Sequence, residues 1–213
     1  MDSDKALEYT NGHFSTNDWE NYGALLEREL TEEIPKEIIE YLKKPCPFTT
    51  EKLVHETHFL FFLPSTLDGI VLTINSMRRL LRNQTLLRFY SPPGGWFSEM
   101  DFANFSEPGS WKLLFAGPLP NSKSLTYKKQ KRLFREGGYI NPCARTAIAM
   151  IILKAKKCNQ LLSVNEWGRT CESYNDGLRI RIGILDEGAI CISSRWSGRG
   201  YCDTGIYAQK IFH

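Results

Sequence analysis

Cys143 is the residue best placed to do chemistry. It follows Asn141-Pro142, which opens a strongly apolar stretch running to about residue 158, so it stands in the first turn of an expected helix. Free backbone amides and the helix dipole favour a thiolate there. Cysteine-dependent hydrolases put a nucleophile at such a place and pair it with a base, normally a histidine. The chain offers His13, His55, His58 and His213, none flanked by a motif that marks it as that partner. Without a base, Cys143 is a small side chain filling the first turn of a buried helix. The sequence favours that reading, and enzymatic activity is not expected.

His55-Glu56-Thr57-His58 would set two imidazoles on one face of a helix, as metal sites require. The HExxH zinc pattern needs its second histidine one residue later, and a third ligand. Here the second histidine abuts Phe59-Leu60-Phe61-Phe62-Leu63, an apolar run closed by Pro64 that suits a buried strand. The two rings should diverge, and no metal is expected. Gly94-Gly95 and Gly137-Gly138 lead into neither GxxxxGK[ST] nor GxGxxG. GxSxG is absent as well, and no cofactor is expected.

Charged and aromatic residues gather in three places. Lys123, Lys128, Lys129, Lys131, Arg132 and Arg135 interleave with Tyr127 and Phe134, in a stretch that Ser124 can cap as a helix over 124–136. Such a helix could bind nucleic acid through its phosphates. Leu125, Leu133 and Phe134 nevertheless give it an apolar face, so the lysines read first as a solvated side and nucleic acid is disfavoured as a partner. Arg195, Trp196, Arg199, Tyr201 and Asp203 share one loop between the last strands, and arginines and aromatics concentrate binding energy at interfaces. Trp96 and Phe97 follow Pro92-Pro93-Gly94-Gly95, whose turn chemistry should push them to the surface. With Met100, Phe102 and Phe105 they put large apolar side chains into the longest irregular segment. The candidate binding residues are therefore Trp96, Phe97, Arg195, Trp196 and Arg199, directed at a protein partner.

The elements that must position these residues follow from periodicity. Apolar residues at three- and four-residue spacing predict helices over 17–30 and 34–42, and Thr73 caps another carrying Ile74, Met77, Leu80 and Leu81. Buried strands are expected at 58–63 and 111–116. The apolar helix from 143 to 158, with Asn141 as its cap and Pro142 at its first position, should be central. Strands at 169–172, 178–185, 189–194 and 205–212 complete an antiparallel sheet against it. The fold class is α+β. The segment 84–108 divides a helical part, 1–83, from an α+β part, 109–213, which together could also form a single domain.

With 42% hydrophobic and 24% charged residues the composition is that of a globular protein, and a net charge of +3 selects no partner class. The start of the sequence lacks a secretory signal and no apolar stretch is long enough to span a bilayer. Six scattered cysteines without a CxxC pair suit reduced thiols. A cytoplasmic protein is expected, or one exported without a classical signal peptide.

Four runs carry a resemblance: Thr57-His58-Phe59-Leu60-Phe61-Phe62-Leu63-Pro64, residues 123–130 before Gly138-Tyr139, Arg169-Thr170-Cys171, and Asp203-Thr204-Gly205-Ile206-Tyr207-Ala208-Gln209-Lys210. Over about residues 50–213 they resemble an expanded group of uncharacterised proteins from intracellular bacteria. The resemblance implies a bacterial source and a role at a host interface, and it carries no catalytic residue or cofactor. The function expected is that of a protein-interaction module or host-directed effector. The alternatives are a cysteine-dependent hydrolase using Cys143 and a weak nucleic-acid binder using the helix 124–136.

Overall fold

The computed structural model describes residues 13–14, 33–83, 87–90, 95–134, 137–158, 165–185 and 188–212. The helix expected over 17–30 and the His213 side chain lie outside them. The fold is α+β. One sheet runs in the order β1 (His13–Phe14), β2 (His58–Leu63), β6 (Ser110–Phe115), β12 (Gln209–Lys210), β7 (Tyr139–Ile140). The other runs β11 (Thr204–Ile206), β8 (Trp167–Ser173), β9 (Leu178–Leu185), β10 (Ala189–Trp196), β5 (Arg88–Phe89). A short hairpin, β3 (Thr66–Leu67) with β4 (Ile70–Val71), stands apart.

The helix α6 (Ala144–Cys158) touches β2 of the first sheet and β8 and β9 of the second. This sandwiched position explains why residues 144–153 are buried all round and why their sequence shows no polar stripe. Strand alternation sends Phe59, Phe61 and Leu63 from one sheet, and Ile180, Ile182 and Ile184 from the other, into the core that α6 occupies. Leu60 and Leu113 point to the opposite face of the first sheet, where α1 (Lys36–Leu42) and α2 (Val54–Thr57) supply Ile38, Leu42 and Val54. The six residues of β2 are buried on both sides, as a continuous apolar run demands.

The segment 84–108 does not separate two cores. β2 pairs with β6 along all six of its residues, and one cluster collects side chains from both sides of the segment. The surface position expected for Trp96 and Phe97 is corrected. Phe97 is 0% exposed within that cluster, and Trp96 packs against it and against Phe97, Phe102 and Tyr174. Asn75 of α3 (Ile74–Leu80) donates to the Ser98 carbonyl at 2.9 Å and to Asn104 of α4 (Asp101–Asn104) at 2.9 Å, which folds the stretch over the core as a lid. Phe97 is therefore a core residue and presents nothing to a partner.

Candidate functional site

The second sheet turns its Ile side to α6 and a cationic side outward. Because residues alternate, Trp167, Arg169, Arg179, Arg181, Gly183 and Arg195 share the face away from the helix. In register, Arg169 stands opposite Arg181 and Arg179 opposite Arg195. Like charges facing each other across strands destabilise a sheet, and this face holds two such pairs side by side. Gly183 makes room: a Cβ there would come within 2.7 Å of the Trp167 ring, over which the Arg181 guanidinium lies at 4.0 Å.

Two neighbouring segments close onto this face. The basic helix is shorter than the sequence implies, α5 (Tyr127–Arg132), and Thr126 caps it instead of Ser124. Ser124 has φ 60° and gives its amide to the Tyr201 carbonyl at 2.8 Å. Gly200 passes directly over the Ser124 carbonyl, where any Cβ would collide. Tyr127 donates its amide to the Ser197 carbonyl at 2.8 Å. Gly177, at φ 84°, turns β8 into β9 beneath the Trp196 ring, which a Cβ would meet at 2.7 Å. The Arg195–Asp203 loop and the basic helix, separate in sequence, are thus one surface.

Arg169 is the hidden fastener. It is 0% exposed, and it donates to the carbonyls of Leu125 (3.2 Å), Trp196 (3.1 Å) and Arg199 (2.8 Å) and to Gln130 Oε1 at 2.6 Å. Gln130 passes the link on, donating to the carbonyls of Ser122 and Thr204 at 2.8 and 3.1 Å. Arg181 pairs with Asp203 at 2.8 Å and donates to Thr204. Burial pulls both guanidinium groups below the usual arginine range, with the charge of Arg181 adding to the effect at Arg169 and that of Arg195 at Arg181. Asp203 is held below the usual carboxylate range: burial works against this, and hydrogen bonds from Thr204 and Arg181 with the charges of Arg181 and Arg195 outweigh it. Outermost are Arg195 and Arg199, 5.1 and 5.7 Å from the Tyr201 ring, Arg179 at 4.6 Å and Lys131 at 5.0 Å from the Tyr127 ring, and Trp196, 58% exposed.

Cys143 lines a different feature, a cleft of about 800 Å³ between α6, β6, β8 and Phe212. The Ala144 amide donates to Glu172 Oε1 at 2.7 Å, so a carboxylate from β8 caps α6 where Asn141 was expected. That negative charge offsets the helix dipole at the thiol. Burial above all, with Glu172 and Glu107, raises the Cys143 thiol, and the hydrogen bond to Thr146 Oγ1 at 3.1 Å opposes them only in part. Neither described imidazole serves it. His55 Nδ1 faces the Leu42 carbonyl at 3.2 Å, and His58 is enclosed by Thr57, Val54 and Tyr139. The two rings diverge, and among the described residues no group of three or more His, Cys, Asp or Glu side chains is placed to hold a metal. No described helix is long and apolar enough to cross a membrane.

No protein-family model, curated protein or solved structure matches this chain. The sequence reading found Arg195, Trp196, Arg199 and the basic helix but passed over Arg169, Arg179 and Arg181. Their signal was the arginines two apart in Leu178-Arg179-Ile180-Arg181-Ile182, which put positive charge on the face opposite the isoleucines.

Proposed function

We propose that the protein binds single-stranded nucleic acid on the outer face of its second sheet. The observation that supports this reading most is the cationic surface formed by Arg179 and Arg195, opposite each other in register, with the exposed Arg199 and Lys131, all laid over the buried Arg169 and Arg181. The carboxylate of Asp203 is paired directly with the buried Arg181. An external anion would relieve the repulsion between Arg179 and Arg195, the pair that solvent reaches. Phosphates supply that anion, and the exposed Trp196 with the half-buried Tyr201 offers rings on which bases stack. The basic helix alone was a weak candidate, because its lysines read equally well as a solvated side. Its docking against Arg169 and Arg179 adds it to the arginines of the sheet and the loop as one cationic surface.

A labelled oligouridine strand, followed by fluorescence anisotropy, tests the reading. Contacts from Arg179, Arg195, Arg199, Lys128 and Lys131 would neutralise about five phosphates, so the logarithm of affinity should fall with that of salt at a slope of about −3.5. Arg195→Ala with Arg199→Ala should reduce the slope to about −2 while leaving the melting temperature unchanged, since both side chains are exposed. Absence of binding at low salt, or polyglutamate competing as well as unlabelled oligouridine, would refute it. The second result would point to an acidic protein partner.

A further inference from the structure

The cleft beside Cys143 shares β8 with the arginine face, but there it is lined by Cys171 and Glu172, so the strand brings a carboxylate to it where Arg169 brings a cation to the other surface. Asn141, only 8% exposed, donates through Nδ2 to Tyr127 Oη at 3.1 Å, which leaves its Oδ1 buried without a protein partner at the cleft wall. Glu172 spends Oε1 on the Ala144 amide, and its buried Oε2 has no partner but the weak S–H donor of Cys171 beside it. Trp111 Nε1, on the same cleft, is a buried donor without an acceptor. Buried polar groups are nearly always paired, so three such exceptions on residues of one cleft, counted among the described residues, are informative.

The cations nearby are already committed. Lys112 is ion-paired with Glu107 at 2.8 Å, with Arg145 behind it at 3.6 Å. Lys210 Nζ donates to the Gly137 and Gly138 carbonyls and lies over the Tyr41 and Phe212 rings. Arg179 is held by the Cys171 carbonyl at 2.7 Å. Among the described residues no ion pair answers Glu172, and Asp101 and Glu37 add carboxylates at the rim. Burial, with the charge of Glu172 adding to it, raises the Cys143 thiol, and the same two causes raise the thiol of Cys171, a residue otherwise exposed.

We propose that this cleft is a binding site for an arginine side chain of a partner protein, with the guanidinium donating to Glu172 Oε2 and Asn141 Oδ1. A guanidinium carries five N–H donors in a planar fork and can serve two acceptors held on different elements, which the compact ammonium of lysine does less well. Its stem and plane suit the Phe105, Trp111 and Phe212 rings that line the cleft. A peptide carbonyl next to the arginine would accept from Trp111 Nε1, so the arginine is chain-borne and not a free amino acid.

Calorimetric titration of the full chain with N-acetyl-arginine N-methylamide, its citrulline counterpart, N-acetyl-lysine N-methylamide and free L-arginine tests this. Citrulline has the same shape without the charge. The arginine peptide mimic should bind about tenfold or more tightly than the citrulline mimic, and more tightly than the lysine mimic or free arginine. Glu172→Gln keeps an oxygen for the Ala144 amide and should cost about tenfold for the arginine mimic while leaving citrulline binding unchanged. No binding of the arginine mimic, or equal binding of arginine and citrulline, overturns the proposal. Free arginine binding best would replace the protein partner with a small molecule. Oligouridine binding is read separately, so this proposal and the nucleic-acid reading fail on different measurements.

Discussion

His58 shows how completely the packing around one residue decides its chemistry. Its ring sits among Phe48, Phe115 and Tyr139, in a buried aromatic cage. Nδ1 lies 3.2 Å from the Val54 carbonyl and 2.9 Å from Thr57 Oγ1, and Nε2 lies 2.8 Å from Tyr139 Oη. A ring that donates to the carbonyl must accept from the phenol, and Tyr41 Oη donates onward to Tyr139 at 3.3 Å. Burial drives the pKa from 6.5 to about 4, with the Val54 bond opposing, so the native ring is neutral. The unfolded chain takes up a proton near pH 6.5 that the native state refuses until about pH 4. The contribution of His58 to stability is therefore complete above pH 6.5 and is lost as pH falls toward 4, by up to about 3 kcal/mol. Urea midpoints measured at several pH values should fall steeply over that window for the wild type and clearly less for His58→Gln. Parallel profiles would show that the ring takes up its proton in the native state as readily as in the unfolded chain.

At the scale of elements, the arginine face depends on a cation that no ligand touches. Arg169 gathers three loop carbonyls and Gln130 around one guanidinium. Replacing it by leucine strands these acceptors in the interior, a loss of about 3 kcal/mol or more. Arg169→Leu should therefore lower the melting temperature and abolish oligouridine binding, whereas the exposed Arg195→Ala should affect binding alone. Equal stability of Arg169→Leu and wild type would mean that the loops are held by something else. This division explains what could be read from the sequence. The alternation over 178–185 and the apolar run at 58–63 announce their strands because each side chain's environment is set by the strand's own period. The apolar helix was equally legible, and its cap was not. Glu172 lies 28 residues beyond the Ala144 amide it accepts from, a distance over which no local spacing informs. The same holds for the cleft, whose acceptors come from segments joined only by the fold. Trp96 and Phe97 failed for the converse reason. Local turn chemistry pointed outward, and the long-range bonds of Asn75 pulled the segment over the core.

For the whole molecule, α6 decides the unfolding behaviour. Its residues from Ala144 to Leu153 contact both sheets, so neither sheet retains a covered inner face without it. The first sheet, moreover, is assembled from distant parts of the chain: β2 and β6 pair antiparallel, and β12, near the end, lies between β6 and β7. A fragment ending before β6 would leave β2 with its long hydrogen-bonded edge open, and a fragment starting after 108 would lose Phe59, Phe61 and Leu63 from the core. Either loss exposes several large side chains at roughly 1.5–3 kcal/mol each, comparable with the entire stability of a domain. Residues 95–104 should therefore behave as a lid within one cooperative unit. Calorimetry of the full chain should give a single transition whose calorimetric and van't Hoff enthalpies agree, and the fragment 109–213 should not fold alone. Two resolved transitions, or a cooperative transition in the isolated fragment, would show that the second sheet can hold α6 without the first.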